Sequence, residues 1–440
     1  MKVLSLFSGI GAFEKALDRL EVNYELVNYC EIDKYASKAY AMMHDCDESL
    51  NLGDITKIDT TALPNDIDLI TYGFPCQDIS LAGKQKGFEE DGERTRSGLF
   101  FETLRIIEDT KPRIAIAENV KNLTSKKFSE EFDIVLSSLE QAGYNNYWKI
   151  LNAKDFGVPQ NRERVFIISI RKDIDNGIFE FPKPFELKSR LKDMLEDEVD
   201  EKYFLTYDHL KRIDNWKSFQ NPLNCVLGGN DISPTITTRI AISDGGGINA
   251  STKLYSNEFE SKINLRNGKY ENIKIRYYTP LDCWKLMGFE KDDYIKAQES
   301  LTDFSLTNNQ LIGCLYKQAG NSIVVDVLVH LFKSLFKALE SNKHAEIIKQ
   351  PTLFDLDKEE EFMEEKQKLI TNENMIKWNE IDDLIGKPVF DKDNDAWRIL
   401  NGYKRIKKDY FVSFTDSYDF EEVDLNRTNL YRNEELAYKK

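Results

Sequence analysis

Only six cysteines and four histidines occur in 440 residues, and no two cysteines form a C-x-x-C pair. That leaves little material for a zinc site, and no metal is expected. Cys30, Cys46, Cys76, Cys225, Cys283 and Cys314 are irregularly spaced. This suits a reducing compartment better than a disulfide framework, so a cytoplasmic location is expected. No apolar run reaches about eighteen residues, so no spanning helix and no membrane partner are expected. The apolar start from Met1 to Phe13 is broken by glycines at 9 and 11, and no small-residue cleavage site follows. It does not read as a secretion signal. Positive charge is also short: 60 Lys+Arg stand against 76 Asp+Glu, a net charge of −16. This argues against a protein that coats nucleic acid by bulk charge. It does not argue against a local basic cleft that neutralises a few phosphates.

What is present is a globular composition, 41% hydrophobic and 31% charged, in a chain long enough for two or three domains. Short apolar runs at 2–7, 26–30, 67–72, 113–117 and 165–170 read as buried strands. Helical periods fall between them, from about Ala12 to Leu20, Ser97 to Thr110 and Ser129 to Ala142. Alternating strands and helices imply an α/β fold with a doubly wound, Rossmann-like parallel sheet. Ligands of such sheets sit at the carboxyl ends of the strands. The small and polar residues at 8–11, 31–33, 54, 73–77 and 118–119 all fall at such ends, which implies one shared site.

The pattern changes after about residue 175. Residues 176–275 lose helical period and gain Gly, Asn, Ser and Thr, and residues 205–280 hold ten Lys/Arg against seven Asp/Glu. This is the mark of an inserted, loop-rich domain. Regular pattern returns over 276–342 and ends in a helix from about Ser322 to Leu339. Residues 343–380 are charge-rich and read as a linker. Residues 381–440 regain aromatic and β-branched alternation around turn signals such as Asn401-Gly402, and read as a small β-rich domain.

Ser8-Gly9-Ile10-Gly11 after the first strand invites a dinucleotide reading, but the position of a third glycine is Glu14. A carboxylate at a helix start repels a pyrophosphate, so a nucleoside cofactor without phosphates fits better. Glu31, twenty residues after Gly11, is placed to bind both ribose hydroxyls. Asp54 is placed to accept from an adenine amino group. S-Adenosylmethionine, with ribose, adenine and sulfonium but no phosphate, matches. The blander reading of the loop is a tight strand–helix turn with solvated acids.

A lone cysteine is by default a small buried hydrophobe. Cys76 differs in following a buried strand and the turn Gly73-Phe74-Pro75, which puts its thiol into the cleft. A glycine-containing stretch with Lys84, Lys86, Arg94 and Arg96 follows, suited to closing over a polyanion. Glu118-Asn119 ends the next strand, where an acid is expensive unless used or paired. Arg162 and Arg164 share a face of the strand that follows Gln160.

These blocks together resemble the DNA (cytosine-5) methyltransferase family. The matching stretches are 7–11, 31–33, 53–55, 73–77, 96–100, 118–120, 160–164, 276–289 and 318–322, in the family's order. One departure is Ser5, where many members carry Asp. The resemblance implies a methyltransferase that uses S-adenosylmethionine on double-stranded DNA. Cys76 would attack C6 of a flipped cytosine. Glu118 would hydrogen-bond the ring N3 and exocyclic amine, Arg164 would hold O2, and Arg162 would support that shell. Phe7, Gly9, Ile10, Gly11, Glu31, Ile32, Asp54, Ile55, Pro75, Leu99, Asn321 and Ser322 would form the cofactor site. Gln77, Ser80, Lys84 and Arg96 would approach DNA from the closing loop. Thr235, Thr237 and Arg239 would do so from the inserted domain, which in this family reads the target sequence.

Two other readings stay open. One is an RNA cytosine-C5 methyltransferase on the same fold. The other is a non-enzymatic DNA- or clamp-binding adaptor with a dead catalytic domain. A nicotinamide oxidoreductase is disfavoured by Glu14. Gln350-Pro351-Thr352-Leu353-Phe354 resembles the short peptide by which bacterial proteins dock on the replicative sliding clamp, so the clamp is a candidate partner. A cognate restriction endonuclease is another, and a monomer is expected.

Overall fold

The computed structural model describes residues 1–75, 89–90, 93–94, 96–205, 226–238, 254–260 and 274–348, and strand segments within 388–431. Cys76, Gln77, Ser80, Lys84, Arg239, the stretch 350–354 and nearly all of the expected linker lie outside the described residues. The chain divides into two units, Met1–Lys343 and His344–Lys440.

The first unit is built on β1 (Lys2–Leu6), β2 (Glu25–Cys30), β3 (Leu69–Tyr72), β4 (Ile114–Val120), β5 (Tyr144–Asn152) and β6 (Glu163–Arg171), in the spatial order β2-β1-β3-β4-β6-β5. The first four pair in parallel. β6 runs antiparallel to both β4 and β5. The expected all-parallel sheet is therefore corrected to a mixed one. The reason is local: only residues 153–162 join β5 to β6, and so short a connection makes hairpin neighbours rather than a crossover. β5 escaped the sequence pattern because it is an edge strand. Asn145, Lys149 and Trp148 on it face solvent, so no apolar run marks it.

Successive strand residues point to opposite faces, and each face has its own core. Val3, Leu69, Ile116 and Ile168 pack with α1 (Ala12–Arg19), α2 (Lys34–Met43) and the C-terminal helix of the unit. Leu4, Leu6, Ile70, Ala117 and Ile167 pack with α3 (Phe100–Thr110) and α4 (Ser129–Gln141). Helices on both faces are what a doubly wound sheet requires. The chain then passes through short strands at Val226–Leu227, Ser233–Pro234, Leu254–Tyr255 and Arg276–Tyr277. It returns to the first core as α5 (Pro280–Leu286), α6 (Lys291–Ser300), α7 (Asn308–Asn321) and α8 (Val325–Ile348). α8 starts and ends later than the sequence pattern suggests, so the first residues assigned to the linker are helical. No described helix is long and apolar enough to cross a membrane.

Glu14 corrects a sequence argument. It stands in the first turn of α1, but its side chain does not face the cavity where it could repel an anion. It lies on the inward face of α1, fully buried beside Ser5 and His44. Neither carboxylate oxygen has a hydrogen-bond partner. Burial pushes its carboxyl above the ordinary value, and the nearby His44 only partly opposes this. A carboxyl whose folded-state pKa is raised stabilises the fold most below its unfolded value and loses that contribution as pH rises through the folded value. Glu14→Met, which fills the same space without a charge to desolvate, should raise stability by about 1 kcal/mol or more near neutral pH. Thermal unfolding at about pH 5 and about pH 8 checks this: the gain should be larger at the higher pH, and a gain confined to the lower pH contradicts it.

The second unit holds an antiparallel five-stranded sheet: β7 (Pro388–Asp391), β8 (Ala396–Ile406), β9 (Asp409–Phe414), β10 (Val423–Asp424) and β11 (Leu430–Tyr431), in the order β10-β9-β8-β7-β11.

Candidate active site

A cavity of about 390 Å³ opens at the carboxyl ends of β1 to β4, within the size range of small-molecule sites. β1 leads into Phe7, which takes a left-handed backbone (φ 52°), a conformation costly for an aromatic residue. The following turn is tight: the Ser8 amide donates to the Cys30 carbonyl at 3.1 Å and the Gly11 amide to the Ser8 carbonyl at 2.9 Å. Phe7, Ser8, Gly9 and Ile10 line the cavity.

Glu31 projects from the end of β2. One carboxylate oxygen accepts the Gly9 amide at 2.9 Å, and the other accepts the Asp33 amide at 2.7 Å. Asn51 braces this corner, accepting from the Glu31 amide at 3.0 Å and donating to its carbonyl at 2.9 Å. Burial raises the Glu31 carboxyl, while the two amides and Lys317 pull it down. Beside it Ile32 is 76% exposed on the cavity rim and offers an apolar surface.

The far end of the cavity is ionic. Glu118, in the last turns of β4, pairs with Arg164 of β6, Nε to Oε1 at 2.9 Å, and both side chains are largely buried. Burial raises the Glu118 carboxyl, and Arg164 and Arg162 oppose it. Asn119 donates to the Phe74 carbonyl at 3.2 Å and so fixes the turn that carries Pro75, the last described residue before Cys76. Gly73, Phe74 and Pro75 all line the cavity.

Arg162 is buried and donates to three carbonyls: Ile236 at 2.7 Å, Gly320 at 3.2 Å and Ser322 at 2.6 Å. Gln160 beside it donates to the Leu286 carbonyl at 2.7 Å and accepts the Ile236 amide at 2.9 Å. These two side chains staple the inserted segment to the sheet. Gly320 permits the closest approach: a Cβ there would lie 2.4 Å from the backbone of Thr237 and Thr238. The Thr235 hydroxyl donates to the Asn161 carbonyl at 2.7 Å.

Of the cofactor residues expected from the sequence, the cavity wall holds Phe7, Gly9, Ile10, Glu31, Ile32, Pro75, Asn321 and Ser322. It does not hold Gly11, Asp54, Ile55 or Leu99. Gly11 is the left-handed cap of α1, crowded by His44 and Tyr40. Asp54 turns back to accept from the Thr56 amide and hydroxyl at 3.1 and 2.8 Å. Ile55 is buried, and Leu99 packs on the second core. Arg96 begins a short 3-10 turn, Arg96–Leu99. Lys317 lies outside every motif stretch that the sequence pattern marked, while Asp33, Asn119, Gln160 and Gly320 lie inside such stretches without a role that the sequence could assign. Their work is done through backbone contacts or across more than a hundred residues, where spacing carries no signal. Among the described residues no cluster of His, Cys, Asp and Glu is placed to hold a metal ion.

The donor set suits a phosphate-free nucleoside. A buried carboxylate can accept a diol and would oppose a phosphate, and Phe7 and Ile32 offer apolar surface to a base. An α/β sheet carrying such a cleft beside a carboxylate–guanidinium pair fits a nucleoside-dependent transferase. The profile of the C-5 cytosine-specific DNA methylase family matches residues 1–337, and the chain belongs to that family. An orphan methyltransferase of Bacillus phage SPR, M.SPRI, is 33% identical over 76% of this chain and 97% of its own. The type II methyltransferase M.HhaI of Haemophilus parahaemolyticus is 33% identical over 77% of this chain and 95% of its own. Among solved structures, the Entamoeba histolytica methyltransferase EhMeth superposes with a TM-score of 0.58 at 21% identity, covering 77% of this chain and 98% of that one. The S. pombe Dnmt2 methyltransferase gives 0.56 at 22%, covering 77% and 99%. At such identities these two speak to the fold alone. The chain is thus a DNA (cytosine-5-)-methyltransferase, and methyltransferases of this kind take their methyl group from S-adenosylmethionine.

Proposed function

We propose that the cavity receives S-adenosylmethionine at its Glu31 end and a cytosine turned out of duplex DNA at its Glu118 end. The observation that carries this is that Glu31, Pro75 and Glu118 all line the same cavity. When bound, the cofactor supplies an electrophilic methyl group on a sulfonium. Cys76, next in the chain after Pro75, attacks cytosine C6 as a thiolate. Electron density moves to C5 while Glu118 supports protonation at N3 and Arg164 holds O2. C5 would form its new bond to the methyl carbon as the methyl–sulfur bond of the sulfonium breaks and S-adenosylhomocysteine leaves. Loss of the C5 proton then expels the thiolate, breaking the C6–S bond and releasing 5-methylcytosine. Arg162 acts one step back, holding the carbonyls that shape the wall. C6 is stacked in a duplex, so the base must be flipped.

The domain division follows: residues 1–175 and 276–342 carry the chemistry, and 176–275 read the target. Gln77, Ser80, Lys84 and Arg96 close on the DNA, with Thr235, Thr237 and Arg239 on the reading side. Residues 350–354 are the candidate contact for a sliding clamp, and a restriction endonuclease of the same target is the other candidate partner.

The test is transfer of a tritiated methyl group to duplex DNA and, in parallel, to tRNA. Label is expected in the duplex and at background in tRNA. Label in tRNA alone would transfer the reading to an RNA methyltransferase.

A further inference from the structure

Two ends of the catalytic region, nearly three hundred residues apart in the chain, meet on the rim of the cofactor cavity. Lys317 of α7 forms an ion pair with Asp33. Gln318, its neighbour, donates to the Tyr35 carbonyl at 3.1 Å. Asp33 is the N-cap of α2, with its other carboxylate oxygen accepting the Tyr35 amide at 3.0 Å and the Ala36 amide at 3.4 Å. The Asp33 backbone amide in turn donates to Glu31. Lys317, Asp33 and Glu31 all line the cavity. A hydrogen-bonded chain therefore runs from α7 through the cap of α2 to the carboxylate that faces the nucleoside.

We propose that Lys317 is a positioning residue for the methyl donor, holding Asp33 neutralised and the Glu31 carboxylate ionised and aimed at the ribose diol. This rests on the reading of Glu31 as the diol acceptor.

An isolated surface ion pair is worth little. This one acts on a third group. Burial raises the Glu31 carboxyl; the amides of Asp33 and Gly9 lower it, the charge of Asp33 raises it, and that of Lys317 lowers it. Removing the ammonium deletes a favourable charge and leaves Asp33 as an unpaired anion two residues from Glu31. Both changes move Glu31 toward its protonated form, which gives up part of its acceptor capacity. The other groups nearby do not substitute for it. On α7, Cys314 has its thiol raised by burial. On β2, the Cys30 thiol is pushed up to about 12 by burial. Asp54, past the end of β2, is held by Thr56 and Lys57.

The experiment is calorimetric binding of S-adenosylhomocysteine to the full chain, across about pH 5.5 to 8.5, for wild type, Lys317→Met, Lys317→Arg and Glu31→Gln. Lys317→Met should weaken binding, with the loss growing toward acid as Glu31 takes up its proton. Lys317→Arg should restore both affinity and pH profile. In turnover the effect should fall on KM for the methyl donor rather than on kcat. Wild-type affinity for Lys317→Met at every pH overturns the inference. So does an equal loss in Lys317→Arg, which would mark a steric contact rather than a charge. Thermal unfolding separates either result from misfolding. If Glu31→Gln itself binds like wild type, the diol reading fails. If it binds weakly while Lys317→Met does not, only the present inference fails.

Discussion

Cys76→Ser is expected to lower methyl transfer to duplex DNA by more than about 10⁴-fold, since a neutral hydroxyl cannot replace the thiolate that attacks C6. Its affinity for S-adenosylhomocysteine should stay within about twofold, because most of the cofactor wall comes from the ends of β1, β2 and α7. A duplex bearing 5-fluorocytosine at the target supplies the sharper readout. Fluorine at C5 blocks the proton loss that expels the enzyme, so the wild type should remain covalently attached in denaturing gels. Cys76→Ser should show no such band. A band of equal strength in both proteins, or equal methylation by bisulfite sequencing, would remove Cys76 from the mechanism. In a stacked duplex the thiolate should be inert, since it cannot reach C6. The band should therefore depend on the flipping elements as well as on the thiol.

The strands and their ends were legible because the sheet core is written in short apolar runs. Val3 to Leu6, Leu69 to Tyr72 and Val165 to Ile170 are buried on both faces, so no polar alternation dilutes the signal. The same rule hid β5, whose outer edge is solvated. It also hid the direction of β6, since a run of apolar residues does not reveal strand polarity. Glu31 could be picked out by its place at the end of the strand after the glycine loop, and Glu118 because a carboxylate at the end of a buried strand is costly without a use. Glu14 was read as an acid at a helix start that repels a pyrophosphate, but its side chain is buried. Position along a helix start says where a residue begins, and the 3.6-residue period decides which way it points. The stapling roles of Arg162 and Gln160 lay beyond reach, because their partners are backbone carbonyls and amides near residues 236, 286 and 320. The motif residues were visible in the chain, but not which of them touch ligand and which hold the wall that does.

Glu118→Gln is expected to reduce kcat roughly 10²–10⁴-fold, the usual share of a positioned acid or base, with little change in cofactor affinity. The pH dependence gives the stronger discrimination. Burial raises the Glu118 carboxyl, and Arg164 and Arg162 pull it back only in part. A raised value keeps more of the acid in its protonated form as pH climbs, which is the form that can share a proton with N3 when charge develops on the ring. In the wild type, kcat should therefore decline as pH rises through the Glu118 value. Glutamine still offers an N–H and a carbonyl but does not titrate, so the residual activity of the variant should be flat over that range. A decline surviving unchanged in Glu118→Gln would assign the titration to another group. A loss below about tenfold would leave Glu118 as no more than the partner of Arg164. The pair makes one more result informative. With Glu118 neutralised, Arg164 loses its ionic partner at 2.9 Å and is free to turn toward the cytosine carbonyl or away from it. Binding of a duplex with an abasic target, set beside one with cytosine, separates these: if Arg164 recognises O2, the preference for cytosine persists in Glu118→Gln and disappears in Arg164→Met.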